Sequence, residues 1–221
     1  MIHNILFDCD GVLVDSEHLA CEVLVAMLRP YGCPVSENEL MTRYVGMKDV
    51  EIVRQLSEMH HLSLPEDFMK QFELQLDKKL EADLRIIPGM DALVKQLTVP
   101  KAIVSNSNLS RLKTSIKTTG ITSCFDENKL FTPDVTSFSK PDPQMYQYAI
   151  RALGWNPEQT IVVEDSPTGV QAAVGARLKV IGFLGASHTT DNPEQKLLAK
   201  GATYIARNSK ELGALLTEIC V

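Results

Sequence analysis

ILFDCDGVLVDSE, residues 5–17, decides how this chain is read. Ile5, Leu6 and Phe7 are apolar at successive positions, the pattern of a strand covered on both faces. The run then ends in carboxylates, at Asp8 and Asp10 and again at Asp15 and Glu17. A carboxylate at the end of a buried strand is costly unless a cation or hydrogen-bond donors satisfy it. The stretch therefore predicts a charged site at the carboxyl end of a core strand. Cys9, between the two aspartates, points to the other side of an extended chain. No base stands at a recognisable spacing from it, so it reads as a packing residue.

The same motif of a short apolar run ending in polar residues recurs. AIVSN (102–106), TIVVED (160–165), KVIGF (179–183) and TYIA (203–206) are further strand candidates. Helical patterns at about 89–97, 109–119, 143–153, 167–176 and 209–219 alternate with them. Fully apolar strands alternating with helices predict an α/β fold with a doubly wound, Rossmann-like parallel sheet. Residues 17–84 break the rhythm with helical patterns such as EHLACEVLVAMLRPYG and no strand, and RIIPGM (85–90) restores it. The expected organisation is a core of residues 1–16 and 85–221 and a helical cap of residues 17–84 above the first strand.

Bulk properties narrow the function. A net charge of −6 over 221 residues, with a pI near 5.4, weighs against nucleic acid as a partner. No apolar run approaches the roughly 20 residues that span a bilayer. The start MIHNILFDCD lacks a basic segment and a small-residue cleavage site. Five scattered cysteines with no CxxC fit neither a disulfide framework nor a zinc site. A cytoplasmic protein without membrane or nucleic-acid partners is expected, and a monomer, since the cap itself would cover the site.

Ligands of open parallel sheets bind beyond the carboxyl ends of the strands. Asp8 and Asp10 fall there, as do Ser105 and Asn106, and Glu164 and Asp165, while Lys140 lies in SKPDP (139–143) just before a helix. Acidic groups from separate strands make an oxygen-rich site that suits Mg²⁺ together with substrate phosphate. Ser105 offers a hydroxyl to a phosphoryl oxygen, and Lys140 a positive charge against the transferring group. One aspartate can attack phosphorus, and the other can exchange protons with the leaving group and water.

DCDGVLVDSE, the Ser105 loop, SKPDP and VVEDSPTGVQAA, in this order, resemble the four motifs of the haloacid dehalogenase superfamily of phosphohydrolases. The likeness covers nearly the whole chain, and the early helical segment resembles that superfamily's type 1 cap, as in its phosphoglycolate phosphatase and β-phosphoglucomutase groups. It implies Asp8 as nucleophile and Mg²⁺ ligand, and Asp10 as general acid/base whose backbone carbonyl faces the metal. It implies Ser105 and the Asn106 backbone on the phosphoryl group, with Lys140 steadying that group and Asp8. Glu164 and Asp165 would complete the metal site, and Gly11 would permit a tight turn after the aspartates. The implied substrate is a small phosphorylated metabolite, with 6-phosphogluconate-type sugar-phosphate phosphatases the most similar group; a phosphomutase of the β-phosphoglucomutase type shares every core motif. Gly46 and Lys48 of VGMKD (45–49) fall where the resemblance puts a specificity loop, and Lys48 with Arg43 would suit an acidic leaving group. His188 of GASHTT (185–190) follows a strand and would also reach the rim. Asp15 and Glu17 read as the entry into the cap rather than as catalytic groups.

Overall fold

The computed structural model describes residues 1–44, 47, 49–187 and 192–220. Six parallel strands form one sheet in the order β3-β2-β1-β4-β5-β6. They are β1 (Asn4–Phe7), β2 (Lys101–Val104), β3 (Leu130–Phe131), β4 (Thr160–Glu164), β5 (Lys179–Phe183) and β6 (Tyr204–Ala206). The insertion after β1 carries α1 (Glu17–Leu28), α2 (Glu37–Arg43), α3 (Asp49–His60) and α4 (Phe68–Asp83). The rest of the chain supplies α5 (Met90–Gln96), α6 (Leu109–Thr118), α7 (Pro133–Thr136), α8 (Gln144–Leu153), α9 (Pro167–Gly175), α10 (Pro193–Ala199) and α11 (Ser209–Ile219). This is the α/β architecture that the alternating runs predict. The brief edge strand β3 and the short helices α7 and α10 are additions that the sequence patterns did not separate from loops.

The sheet is covered on both faces, which explains why β1 is apolar at successive residues. Ile5 and Phe7 join a cluster that includes Leu112 and Ile116 of α6 and Leu212 of α11. Leu6 points the other way, into a cluster with Met145 and Tyr146 of α8 and Val170 and Ala173 of α9. The first cluster continues into the helical insertion. There α4 buries Phe68, Phe72, Leu76 and Leu80, spaced four apart along one face, and it packs against both α1 and α6.

Register brings the polar strand ends level. Phe7 pairs with Ile103 of β2 and with Val163 of β4. The next residue, Asp8, donates its N–H to Val163 O at 3.0 Å, and Ser105 donates its N–H to Phe131 O at 2.9 Å. From β1 the chain winds toward β2 and β3, and from β4 it winds toward β5 and β6. The switch point, where such sheets open a crevice, therefore lies between β1 and β4. Asp8 stands on one side of it and Glu164 on the other.

The two connections to the helical insertion run side by side. Val14 and Ile86 form an antiparallel bridge; Asp15 N–H donates to Arg85 O (3.0 Å), and Ile87 N–H to Leu13 O (2.9 Å). Asp15 also accepts from the Ser187 hydroxyl (2.9 Å). This matches the reading of Asp15 as a residue of the entry rather than of the chemistry.

Candidate active site

Asp8 is 7% exposed and is fixed through Oδ1, which accepts the Cys9 N–H at 2.7 Å and lies 2.9 Å from Lys140 Nζ. Lys140 is shared: Nζ is also 2.5 Å from Glu164 Oε1. Glu164 is fully buried at the end of β4, where it also accepts from the Tyr146 hydroxyl (2.6 Å) and the Ser166 hydroxyl (3.1 Å). One ammonium thus joins the end of β1 to the end of β4. Glycine at 169 makes this approach possible, since a Cβ there would collide with the Glu164 carboxyl.

Lys140 is itself held by its backbone. The Asn106 side chain accepts the Lys140 N–H at 2.8 Å and donates to the Lys140 carbonyl at 3.1 Å. The loop after β2 therefore positions the lysine loop through a side chain, whereas the sequence suggested only the Asn106 backbone. Ser105 is buried, and its hydroxyl accepts the Ser107 N–H (3.0 Å). Ser105 and Ser107 both donate to Asp10 Oδ2, at 3.3 and 2.8 Å, and Ser16 donates to Asp10 Oδ1 at 2.6 Å. Ser16, Ser107 and Tyr146 were not anticipated. The repeated serines of SNSN and the Asp15-Ser16-Glu17 junction are the signals that point to the first two.

The acidic cluster at these strand ends could hold a cation. Burial, with the neighbouring charge of Glu164, pushes the Asp8 carboxyl up to about 8 despite the opposing ammonium of Lys140. Burial and the charges of Glu17 and Asp8 hold Asp165 well above the ordinary carboxylate range. Burial alone would lower Lys140, but Asp8 and Glu164 outweigh it and keep the ammonium above its usual value. Asp8, Glu164 and Asp165 each present an oxygen within 4.8 Å of the others. Three hard oxygen donors so close together fit Mg²⁺ in a way that sulfur or nitrogen sites do not. Asp10 lies outside this three-oxygen group, its side chain being turned to the serines. Gly11, at φ +76°, completes the turn, and a Cβ on it would strike the Asp165 carboxylate.

Cys9 is buried, and burial with the charges of Asp10 and Asp8 drives its thiol well above the ordinary value. It stays protonated and packs, as its place on the strand implied. Ser166, not Glu164 or Asp165, caps α9, accepting the Gly169 N–H at 3.0 Å. Gly46, Lys48 and His188 lie outside the described residues. Arg43 is an exposed side chain paired with Glu39 at 3.2 Å.

Residues 5–183 match the family described as haloacid dehalogenase-like hydrolase. The chain belongs to that family. Among curated relatives of this haloacid dehalogenase-like hydrolase, the 6-phosphogluconate phosphatase of Escherichia coli (strain K12) is 30% identical over 188 residues, 85% of each chain. The phosphorylated carbohydrates phosphatase of Thermotoga maritima is 29% identical, covering 96% of this chain and 97% of its own. Among solved structures, a haloacid dehalogenase-like protein from Agrobacterium tumefaciens str. C58 superposes with a TM-score of 0.89 at 33% identity, over 99% of both chains. Family and relatives agree with a phosphoric monoester hydrolase built on this haloacid dehalogenase-like core.

Proposed function

We propose that this hydrolase is a Mg²⁺-dependent phosphatase of a small phosphorylated sugar or sugar acid, working through an aspartyl-phosphate on Asp8. The observation that carries the reading is Asp8 itself. It is pinned through Oδ1 by Lys140 and Cys9 N–H, beside two further carboxylates at the sheet's switch point. With Oδ1 so held, Oδ2 is the oxygen that would form the bond to phosphorus. As the Asp8–phosphorus bond forms, the bond to the leaving oxygen breaks, and Asp10 passes it a proton. Water then attacks phosphorus with Asp10 taking its proton, the acyl phosphate breaks, and Asp8 is free again.

The serines that hold both oxygens of Asp10 fix the direction of its proton transfer. Lys140 offsets the charge that gathers on Asp8 and the phosphoryl oxygens, and Glu164 keeps the ammonium in place. Asp8 and Asp165, with Glu164 behind them, would hold Mg²⁺. When bound it supplies Lewis-acid neutralisation of the phosphoryl charge. Residues 17–84 act as the cap that excludes water, and the protein works as a cytoplasmic monomer. Gly46, Lys48 and His188 are the candidate leaving-group contacts.

Phosphate release from a panel of phosphorylated metabolites, with Mg²⁺ or EDTA, tests the reading. Asp8→Asn should lower turnover by about 10³-fold or more; full turnover of that variant refutes the mechanism. Formation of an isomeric sugar phosphate without free phosphate would instead make the enzyme a phosphomutase.

A further inference from the structure

Tyr146, in the first turn of α8, is among the largest fully buried side chains of the core. Its ring packs in the cluster that holds Leu6 of β1, Val162 of β4 and Val170 of α9. Phenylalanine would fill that space equally well, so packing does not account for the hydroxyl. A buried phenol is costly unless its O–H is satisfied. Here it donates to Glu164 Oε1 at 2.6 Å.

That oxygen is the one that meets the Lys140 ammonium, at 2.5 Å, whereas Ser166 donates to Oε2. Two donors from one stretch of chain, the SKPDP loop and the helix that follows it, thus converge on a single carboxylate oxygen. The ammonium also lies over the Tyr146 ring, 5.4 Å from its centroid, and its second carboxylate is Asp8, at 2.9 Å. The last torsion of a glutamate is soft, whereas a ring enclosed in a close-packed core is not. The phenol therefore supplies Oε1 with a fixed point, and Oε1 supplies one to the ammonium.

We propose that Tyr146 is a positioning residue for phosphoryl transfer: through Glu164 Oε1, its hydroxyl sets the place of the Lys140 ammonium beside Asp8. The proposal rests on the phosphatase reading, in which Lys140 offsets charge on Asp8 and the transferring group. Tyr146 acts through Glu164 and not on the substrate itself. Lys140 serves the phosphoryl group and not the leaving group, so every ester should feel the loss alike, and in kcat more than in KM.

Tyr146→Phe keeps the ring and removes only the hydroxyl. On p-nitrophenyl phosphate and on the best ester of a metabolite panel, kcat should fall about tenfold with KM little changed. Inhibition by orthovanadate, a five-coordinate mimic of the transition state, should weaken by about the same factor, and inhibition by inorganic phosphate by less than about twofold. Glu164→Ala removes the acceptor, so adding Tyr146→Phe to it should lower kcat by less than about twofold more. Circular dichroism melting of each variant checks that it is folded. A Tyr146→Phe kcat within about twofold of wild type overturns the proposal, whatever its melting temperature. So does a full tenfold further loss, roughly, in the Glu164→Ala background, or a loss carried by KM on one ester alone. If Glu164→Ala does not fold, the inhibitors decide: a lowered kcat with unchanged orthovanadate inhibition overturns the proposal. If the wild-type enzyme releases phosphate from no ester, the phosphatase reading itself fails, and the proposal falls with it.

Discussion

Lys140→Met should destabilise the metal-free protein by more than its lost contacts suggest. The ammonium lies 2.9 Å from Asp8 and 2.5 Å from Glu164, and the lysine is 3% exposed while Glu164 is fully buried. Methionine fills a similar volume, so the change is mainly one of charge. Removing one partner from a buried ion pair costs about 3–5 kcal/mol, because the remaining charge is stranded. Here two carboxylates are stranded, but Asp8 can take up a proton, and Tyr146 and Ser166 still serve Glu164. We therefore expect about 4 kcal/mol at pH 9, where Asp8 is ionised, and about half that at pH 6, where its proton removes the repulsion. Urea unfolding in EDTA, followed by fluorescence of the single tryptophan, Trp155, measures both values. Adding Glu164→Gln to the lysine variant should recover about 2 kcal/mol, whereas the same change in the wild type should destabilise. A cost below about 1 kcal/mol at pH 9 refutes the reasoning, as does simple additivity of the two substitutions.

Three further outcomes are expected. Because Asp8 is raised from 3.8 to about 8 by folding, the metal-free native state binds the extra proton, so its stability should fall as pH rises from about 4 to 8. Mg²⁺ reverses that loss, and its thermal shift should be larger at pH 8 than at pH 5; an equal shift would mean that the acidic group is not where the ion binds. Gly11→Ala places a side chain at φ +76° and against Asp165, costing about 1–2 kcal/mol from the backbone alone and weakening Mg²⁺ binding in calorimetry. Ser16→Ala removes one of the hydroxyls on Asp10 and should lower kcat by about tenfold with KM little changed, and a normal kcat would show that Asp10 is oriented without it.

The sequence carried most of the sheet because β1, β2, β4 and β5 are buried on both faces and so are written as unbroken apolar runs. Strand β3 escaped notice since two residues, Leu130 and Phe131, make no pattern. At the site, the residue types that bear charge were visible as strand-end carboxylates and a lysine just before Pro141. Their partners were not. That the Asn106 side chain brackets Lys140, 34 positions away, or that the Tyr146 hydroxyl reaches Glu164, depends on how loops and α8 fold over the sheet. Ser105, read as a phosphate ligand, also has partners within the chain that the sequence did not show, donating to Asp10 and accepting the Ser107 N–H. Short-range pattern finds which groups are charged; the hydrogen bonds that aim them join distant parts of the chain.

The paired connections at residues 13–15 and 85–87 have a mechanical effect on the chemistry. Asp10 and Val14 are bridged, Val14 is bridged in turn to Ile86, and Ser16, just beyond, grips Asp10 Oδ1. A swing of the insertion would turn this two-stranded strap, and with it the Ser16 hydroxyl on Asp10. Asp8 has no such linkage, being tied to β4 through Val163 and to Lys140. Asp8, the proposed nucleophile, is thus mounted on the sheet, and Asp10, the proposed acid/base, on the connection to the insertion. If the insertion closes as the proposed cap, that coupling would align the proton transfer only on closure, so that reaction in an open site is disfavoured by gearing rather than by a separate switch.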